Sequence, residues 1–93
     1  MVFERTRLGK FLRASRMAAK LSQAKVSKEL GYSSPQFISN WERGISSPPL
    51  KALPKIAQLY RISPEELVNV IIDETKDVLW REMDGQVESS TNL

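Results

Sequence analysis

Two side-chain amides, Gln36 and Asn40, stand four residues apart, with the apolar Ile38 between them and Trp41 directly after. On a helix that spacing puts both amides on one face, opposite the apolar pair. A side-chain amide carries the donor and the acceptor needed to bond bidentately to N6 and N7 of adenine. Either amide alone would be an ordinary polar surface residue. Covalent and metal chemistry have far less to work with. The chain contains no cysteine and no histidine, which excludes a disulfide framework, thiolate metal sites and cysteine catalysis. It also removes the commonest metal ligand and the commonest general base. The carboxylate pairs on offer are Glu65 with Glu66 and Asp73 with Asp77. The first reads as part of a helix cap and the second as a solvated helix face. The expectation is a protein that is not an enzyme and needs no cofactor and no metal.

The 93 residues suit one domain, with 41% apolar and 27% charged residues as in an ordinary soluble globular protein. No stretch approaches the roughly 18 consecutive apolar residues of a membrane helix, and the first residues lack the apolar core of an export signal. A cytoplasmic protein with no membrane partner is expected. The net charge of +3 hides a strong asymmetry. Residues 1–62 hold twelve Lys and Arg against three acids, a net of +9, whereas residues 63–93 hold two against eight, a net of −6. Clustered cations favour a polyanion partner through counterion release from nucleic acid. A solvated basic face is the plainer reading of charge alone.

The elements that must position these groups read as all-α, because helix-start signals recur and no stretch alternates like a strand. The first helix is expected from about Thr6 to Ala19, with Leu8, Leu12, Ser15 and Ala19 on one face. Ser22 caps a second, Gln23 to Leu30, and Gly31 ends it where a left-handed residue is needed. Ser34 then caps a third, Pro35 to Arg43, stopped by Gly44. After the Pro48-Pro49 loop, a fourth starts near Lys51 or Ala52 and runs to Tyr60, with Pro54 in its first turn. Ser63-Pro64-Glu65-Glu66 opens the fifth, whose stripe Leu67, Val68, Ile71, Ile72, Thr75, Val78, Leu79 and Met83 lasts until Asp84-Gly85. The polar end, Gln86 to Leu93, is expected to fray.

Two short helices joined by a tight turn have the organisation of a helix-turn-helix. The segments Leu21-Ser22-Gln23, Leu30-Gly31, Ile38 to Gly44, Pro48-Pro49-Leu50, Lys55-Ile56-Ala57 and Ile62 to Leu67 sharpen this. Together they closely resemble the lambda-repressor-like, Cro/C1-type (XRE) helix-turn-helix family of bacterial and phage transcription regulators. The resemblance spans about Leu8 to Leu67. It implies a five-helix domain whose third helix lies in the major groove of double-stranded DNA, with dimers meeting half-sites about 34 Å apart.

Carried over by position, the resemblance makes Gln36, Phe37 and Asn40 base contacts. Phe37 can pack on the domain or touch a thymine methyl. Gln23, Lys28, Ser39, Arg43, Ser46 and Ser47 become phosphate contacts, Gln23 also bracing the third helix. Arg16 and Glu42 occupy positions where the family often has a partly buried ion pair, the alternative being a weak surface pair. Ile38, Trp41, Val26 and Leu30 are core. The chain departs from the family pattern in three places. Between Gly31 and Trp41 it is one residue longer, which loads the turn at Tyr32 to Ser34 and bears on how the third helix docks. Pro35 replaces a frequent glutamine. Ser27 replaces a usual alanine, a change expected to be harmless.

The family core needs only the first turns of the fifth helix, so residues 6–72 are read as the DNA-binding domain. Residues 73–85 form a helical extension and 86–93 a flexible tail. Ile72, Thr75, Val78, Leu79, Trp80 and Met83 offer more apolar surface than a solvated helix should expose. They are assigned to homodimerisation, with packing onto the chain's own core as the alternative. Acidic residues on the same helix would keep it off DNA. The expected function is operator binding as a homodimer, by occupying promoter DNA or contacting RNA polymerase there. The alternative is an antitoxin-like protein of the same fold that binds a partner protein through this helix.

Overall fold

Hydroxyl side chains set where most of the helices begin. Thr6 Oγ1 accepts from the Gly9 amide at 2.9 Å, Ser22 Oγ from Lys25 at 3.0 Å, and Ser63 Oγ from Glu66 at 3.0 Å. Each such cap contributes about 1 kcal/mol. Ser34 Oγ accepts from the Gln36 amide at 3.1 Å, and Pro35 beside it has helical dihedrals (φ −67°, ψ −7°). The computed structural model describes residues 6–91, with side chains through Gly85. It contains α1 (Arg7–Ala18), α2 (Gln23–Glu29), α3 (Gln36–Arg43), a 3-10 turn (Leu50–Ala52), α4 (Leu53–Tyr60) and α5 (Pro64–Thr91). Five α-helices and no strand occur among the described residues, in the all-α, lambda-repressor-like architecture that the sequence implies.

Left-handed residues end four of these helices, Lys20 (φ +60°) doing so after α1. Gly31 (φ +81°) follows α2 and Gly44 (φ +78°) closes α3, whereas α4 ends on Arg61 (φ +56°), a non-glycine in the same region. The fourth helix starts later than Lys51 or Ala52. A 3-10 turn occupies Leu50–Ala52, and Pro54 lies in the first turn of the α-helix proper, where its missing N–H breaks no bond.

The core joins Leu8 and Leu12 of α1, Val26 of α2, Ile38 and Trp41 of α3, Ile56, Ala57 and Tyr60 of α4, and Leu67 of α5. Burying each large apolar side chain of this set is worth about 1.5 to 3 kcal/mol. Gly9 is where α1 meets α3 most closely. A Cβ there would stand 2.6 Å from the carbonyl oxygen of Glu42 and 2.9 Å from that of Trp41. Only a hydrogen fits, so this residue sets the distance between the two helices.

Helix α5 differs from the expectation in two ways. It passes through Gly85 without a break and continues to Thr91, so the stop at Asp84-Gly85 is not used. Nothing crowds Gly85, and a helical glycine with neighbours on both sides costs only about 1 kcal/mol relative to alanine. Of the expected frayed end, residues 86–91 are helical backbone, while Asn92 and Leu93 lie outside the described residues. The apolar stripe also divides. Leu67 is buried and Val70 and Ile71 pack against the core, whereas Val68, Ile72, Val78, Leu79, Trp80 and Met83 remain exposed.

Sequence reasoning missed how α5 holds α1. The first turn of α1 has no acidic residue of its own. Glu74 supplies one from 66 positions away, its Oε1 accepting from the Leu8 amide at 3.2 Å. One turn on, Asp77 pairs with Arg7 at 2.9 Å. Negative charge at a helix N-terminus is stabilising, so these two acids dock α5 on α1.

Candidate nucleic-acid interface

The site is built on α3 and braced from behind by one buried carboxylate. Glu42 is only 2% exposed, yet all its strong partners are in place. Arg16 Nε donates to Oε2 at 2.6 Å and Nη2 to Oε1 at 3.0 Å, a two-pronged pair, while Nη1 donates to the Leu21 carbonyl at 2.8 Å. Gln23 Nε2 donates to the same Oε1 at 3.1 Å. Helices α1, α2 and α3 therefore meet at one side chain. The bond to Glu42 raises the Arg16 guanidinium above its ordinary value against the opposing effect of burial, so Arg16 keeps its charge. Burial chiefly, and the negative charge of Glu42, push the Tyr60 hydroxyl far up, leaving it neutral in the core.

On the outer side of α3 the two amides meet. Gln36 Nε2 donates to Asn40 Oδ1 at 2.8 Å, with Gln36 exposed and Asn40 half-buried. Facing groups four apart on one helix face are therefore present as the spacing requires. Phe37 beside them is 46% exposed. Its ring stacks on Tyr32 at a centroid distance of 4.9 Å, and Tyr32 meets the buried Trp41 edge-on at 5.7 Å. Phe37 thus packs partly on the domain and keeps half of its surface open.

Gly44 turns the chain back across the end of α3. The Ile45 and Ser46 amides then donate to the Asn40 backbone carbonyl at 2.9 Å and 3.4 Å, which ties the following loop to the last turn of α3. Arg43, Ser46 and Ser47 are exposed and Ser39 is half-buried on the same stretch. Lys28 is exposed on α2 and takes no part in these bonds. One hydrogen of the Gln23 amide is engaged with Glu42; an NH2 group carries two.

Ser27 needs a correction. As a small residue in place of alanine it is not inert: it is 2% exposed and its Oγ donates to the Ser34 carbonyl at 2.7 Å. The Tyr32 amide donates to the Ser27 carbonyl at 2.9 Å. The turn from Tyr32 to Ser34 is tied down at both ends by this one residue. A hydroxyl at a buried helix position facing a turn of serines was the available signal. For Tyr32 the signal was three aromatics, Tyr32, Phe37 and Trp41, within ten positions.

The arrangement of α2, a bonded turn and an exposed α3 lies wholly inside residues 12–67, the span matched by a family model described as helix-turn-helix. The chain belongs to that family, of the Cro/C1 (XRE) type. No curated protein matches it significantly. As a helix-turn-helix protein it is a DNA-binding transcriptional regulator. The matched span ends at Leu67, so almost all of α5 is additional to the helix-turn-helix core. No helix among the described residues is long and apolar enough to cross a membrane.

Proposed function

We propose that this regulator binds an operator as a homodimer in the cytoplasm, with residues 6–72 as the DNA-binding domain and residues 73–85 joining two copies. The hydrogen-bonded amides of Gln36 and Asn40 on the outer face of α3 carry the reading of DNA contact. In the major groove they exchange their mutual bond for base edges, with Phe37 beside them. Gln23, Lys28, Ser39, Arg43, Ser46 and Ser47 hold phosphates. The Arg16–Glu42 pair is structural. The protein acts by occupying promoter DNA or by contacting RNA polymerase there.

The dimer rests on the outward face of α5. Ile72, Val78, Leu79, Trp80 and Met83 are 45 to 67% exposed, which supports a surface for a second copy over packing on the chain's own core. Thr75 shares this face and donates its hydroxyl to the Ile71 carbonyl at 2.7 Å, so it can enter an apolar contact without an unpaired group. A two-fold axis would bring the same face of a second copy against it.

Selection of bound fragments from random duplex DNA tests the whole reading. The expected result is a two-fold symmetric motif with half-sites one helical turn apart, and absence of any enriched motif would sink it. Light scattering of a chain cut after Asp77 tests the dimer separately. That cut keeps Glu74 and Asp77 on α1 and removes Val78 to Met83. The full chain should scatter as a dimer and the shortened one as a monomer. A full-length monomer that co-purifies with a stoichiometric second protein would favour the antitoxin-like reading instead.

A further inference from the structure

Phe37 is held too firmly, and left too open, to be a surface accident. It lies on α3 one residue after Gln36 and one turn before Asn40, so an object touching both amides also reaches its ring. Nearly half of the side chain is exposed, and an exposed phenyl ring is unfavourable in water. Flexible side chains relieve that by folding onto the body of the protein. Phe37 has done so on one side only, against Tyr32 at 4.9 Å and 27°.

Tyr32 is itself fixed. Its ring stands edge-on to Trp41, which is 4% exposed, at 5.7 Å and 76°, and the Tyr32 amide donates to the Ser27 carbonyl. A chain of three rings therefore runs from the core to the outer face of α3, and its last member ends in solvent. Among the groups that base pairs offer in the major groove, the one suited to an aromatic ring is the C5-methyl group of a pyrimidine.

We propose that Phe37 reads a pyrimidine C5-methyl group in the major groove and that Tyr32 is the positioning residue that aims it. This rests on the DNA-binding reading above. The shared chemistry is the methyl group, carried by thymine or by 5-methylcytosine. Tyr32 touches no base in this arrangement and acts through the ring of Phe37.

The test uses the full chain and the duplex obtained by selection. Each thymine is replaced singly by deoxyuridine, which lacks only the methyl group, and each cytosine singly by 5-methylcytosine. Binding is read by fluorescence anisotropy at fixed salt. One position per half-site should respond, losing about fourfold in affinity without the methyl group, the equivalent of one buried carbon. At a thymine this identifies thymine as the target; a gain confined to 5-methylcytosine identifies the modified base.

In Phe37→Ala the methyl dependence should vanish at that position. In Tyr32→Leu it should fall towards none while affinity for random-sequence duplex stays within about twofold, and Tyr32→Phe should restore it. A merely structural role for Tyr32 would lower specific and random binding together and leave the methyl ratio intact, which overturns the positioning claim. A flat response at every thymine and cytosine, or methyl dependence that survives Phe37→Ala, overturns the reading of the methyl group. Failure to enrich any duplex overturns the DNA-binding reading beneath it.

Discussion

Arg16 and Glu42 form a two-pronged ion pair across α1 and α3, with Nε to Oε2 at 2.6 Å and Nη2 to Oε1 at 3.0 Å. The two partners are not equally buried. The Glu42 side chain is 2% exposed and that of Arg16 is 12%. Losing either strands a charge, but the stranded carboxylate is the one farther from water. Arg16→Ala should therefore cost about 3 to 5 kcal/mol, and Glu42→Ala less, because Arg16 keeps its bond to Leu21 and has some access to solvent. Thermal melts decide: shifts of a degree or so in both variants would mean a weakly coupled surface pair.

Gly9→Ala should be among the most damaging small substitutions. The added methyl would stand 2.6 Å from the Glu42 carbonyl oxygen, which is backbone and cannot rotate away. The helices must separate, and about 1 to 3 kcal/mol of stability should be lost. A measured stabilisation, as expected for alanine in an unobstructed helix, would show that α1 and α3 do not cross this closely.

Ser27→Ala removes the bond to the Ser34 carbonyl at 2.7 Å without changing the packing volume much. A loss of about 1 to 3 kcal/mol is expected from chemical denaturation. Amide exchange should quicken from Tyr32 to Gln36 before it quickens in the core. An unchanged midpoint and unchanged exchange would restore the harmless reading of this serine.

On selected DNA, Asn40→Ala should cost about 1 to 3 kcal/mol and relax preference at one base pair. Arg43→Ala should instead weaken selected and random duplexes alike and reduce the salt slope by about one. These are opposite signatures from residues three apart on α3. Equal losses on both kinds of DNA for Asn40→Ala would remove it from the base contacts.

The features legible in the sequence share one property: they depend on near neighbours in the chain. Ser22 and Ser63 cap helices because a hydroxyl reaches an amide three residues on, whereas Pro35, not Ser34, is the capping residue of α3 and Ser34 bonds the Gln36 amide from one position earlier. Gly31 and Gly44 stop helices because a left-handed residue is easiest without a Cβ. Spacing alone puts Gln36 and Asn40 on one face. The missed boundaries, the late start of α4 and the passage of α5 through Gly85, are places where the local signal is weak beside the packing of the surrounding helix.

What the chain order could not reveal was which distant groups meet. The +9 and −6 blocks are read by counting. That Glu74 and Asp77 of the acidic block bond to Leu8 and Arg7 of the basic one is decided by how α5 lies on α1. The stripe on α5 is likewise a fact of sequence, yet its division into a buried Leu67 and an exposed Leu79 comes from α1 and α4 covering only the start of that helix. Sequence by itself determined the helices, the family resemblance and the candidate reading face, because periodicity and capping act over a few residues. Tertiary structure alone decided the burial of Glu42, the close approach at Gly9 and the ring stack that aims Phe37, because each depends on distances between elements that no spacing along the chain encodes.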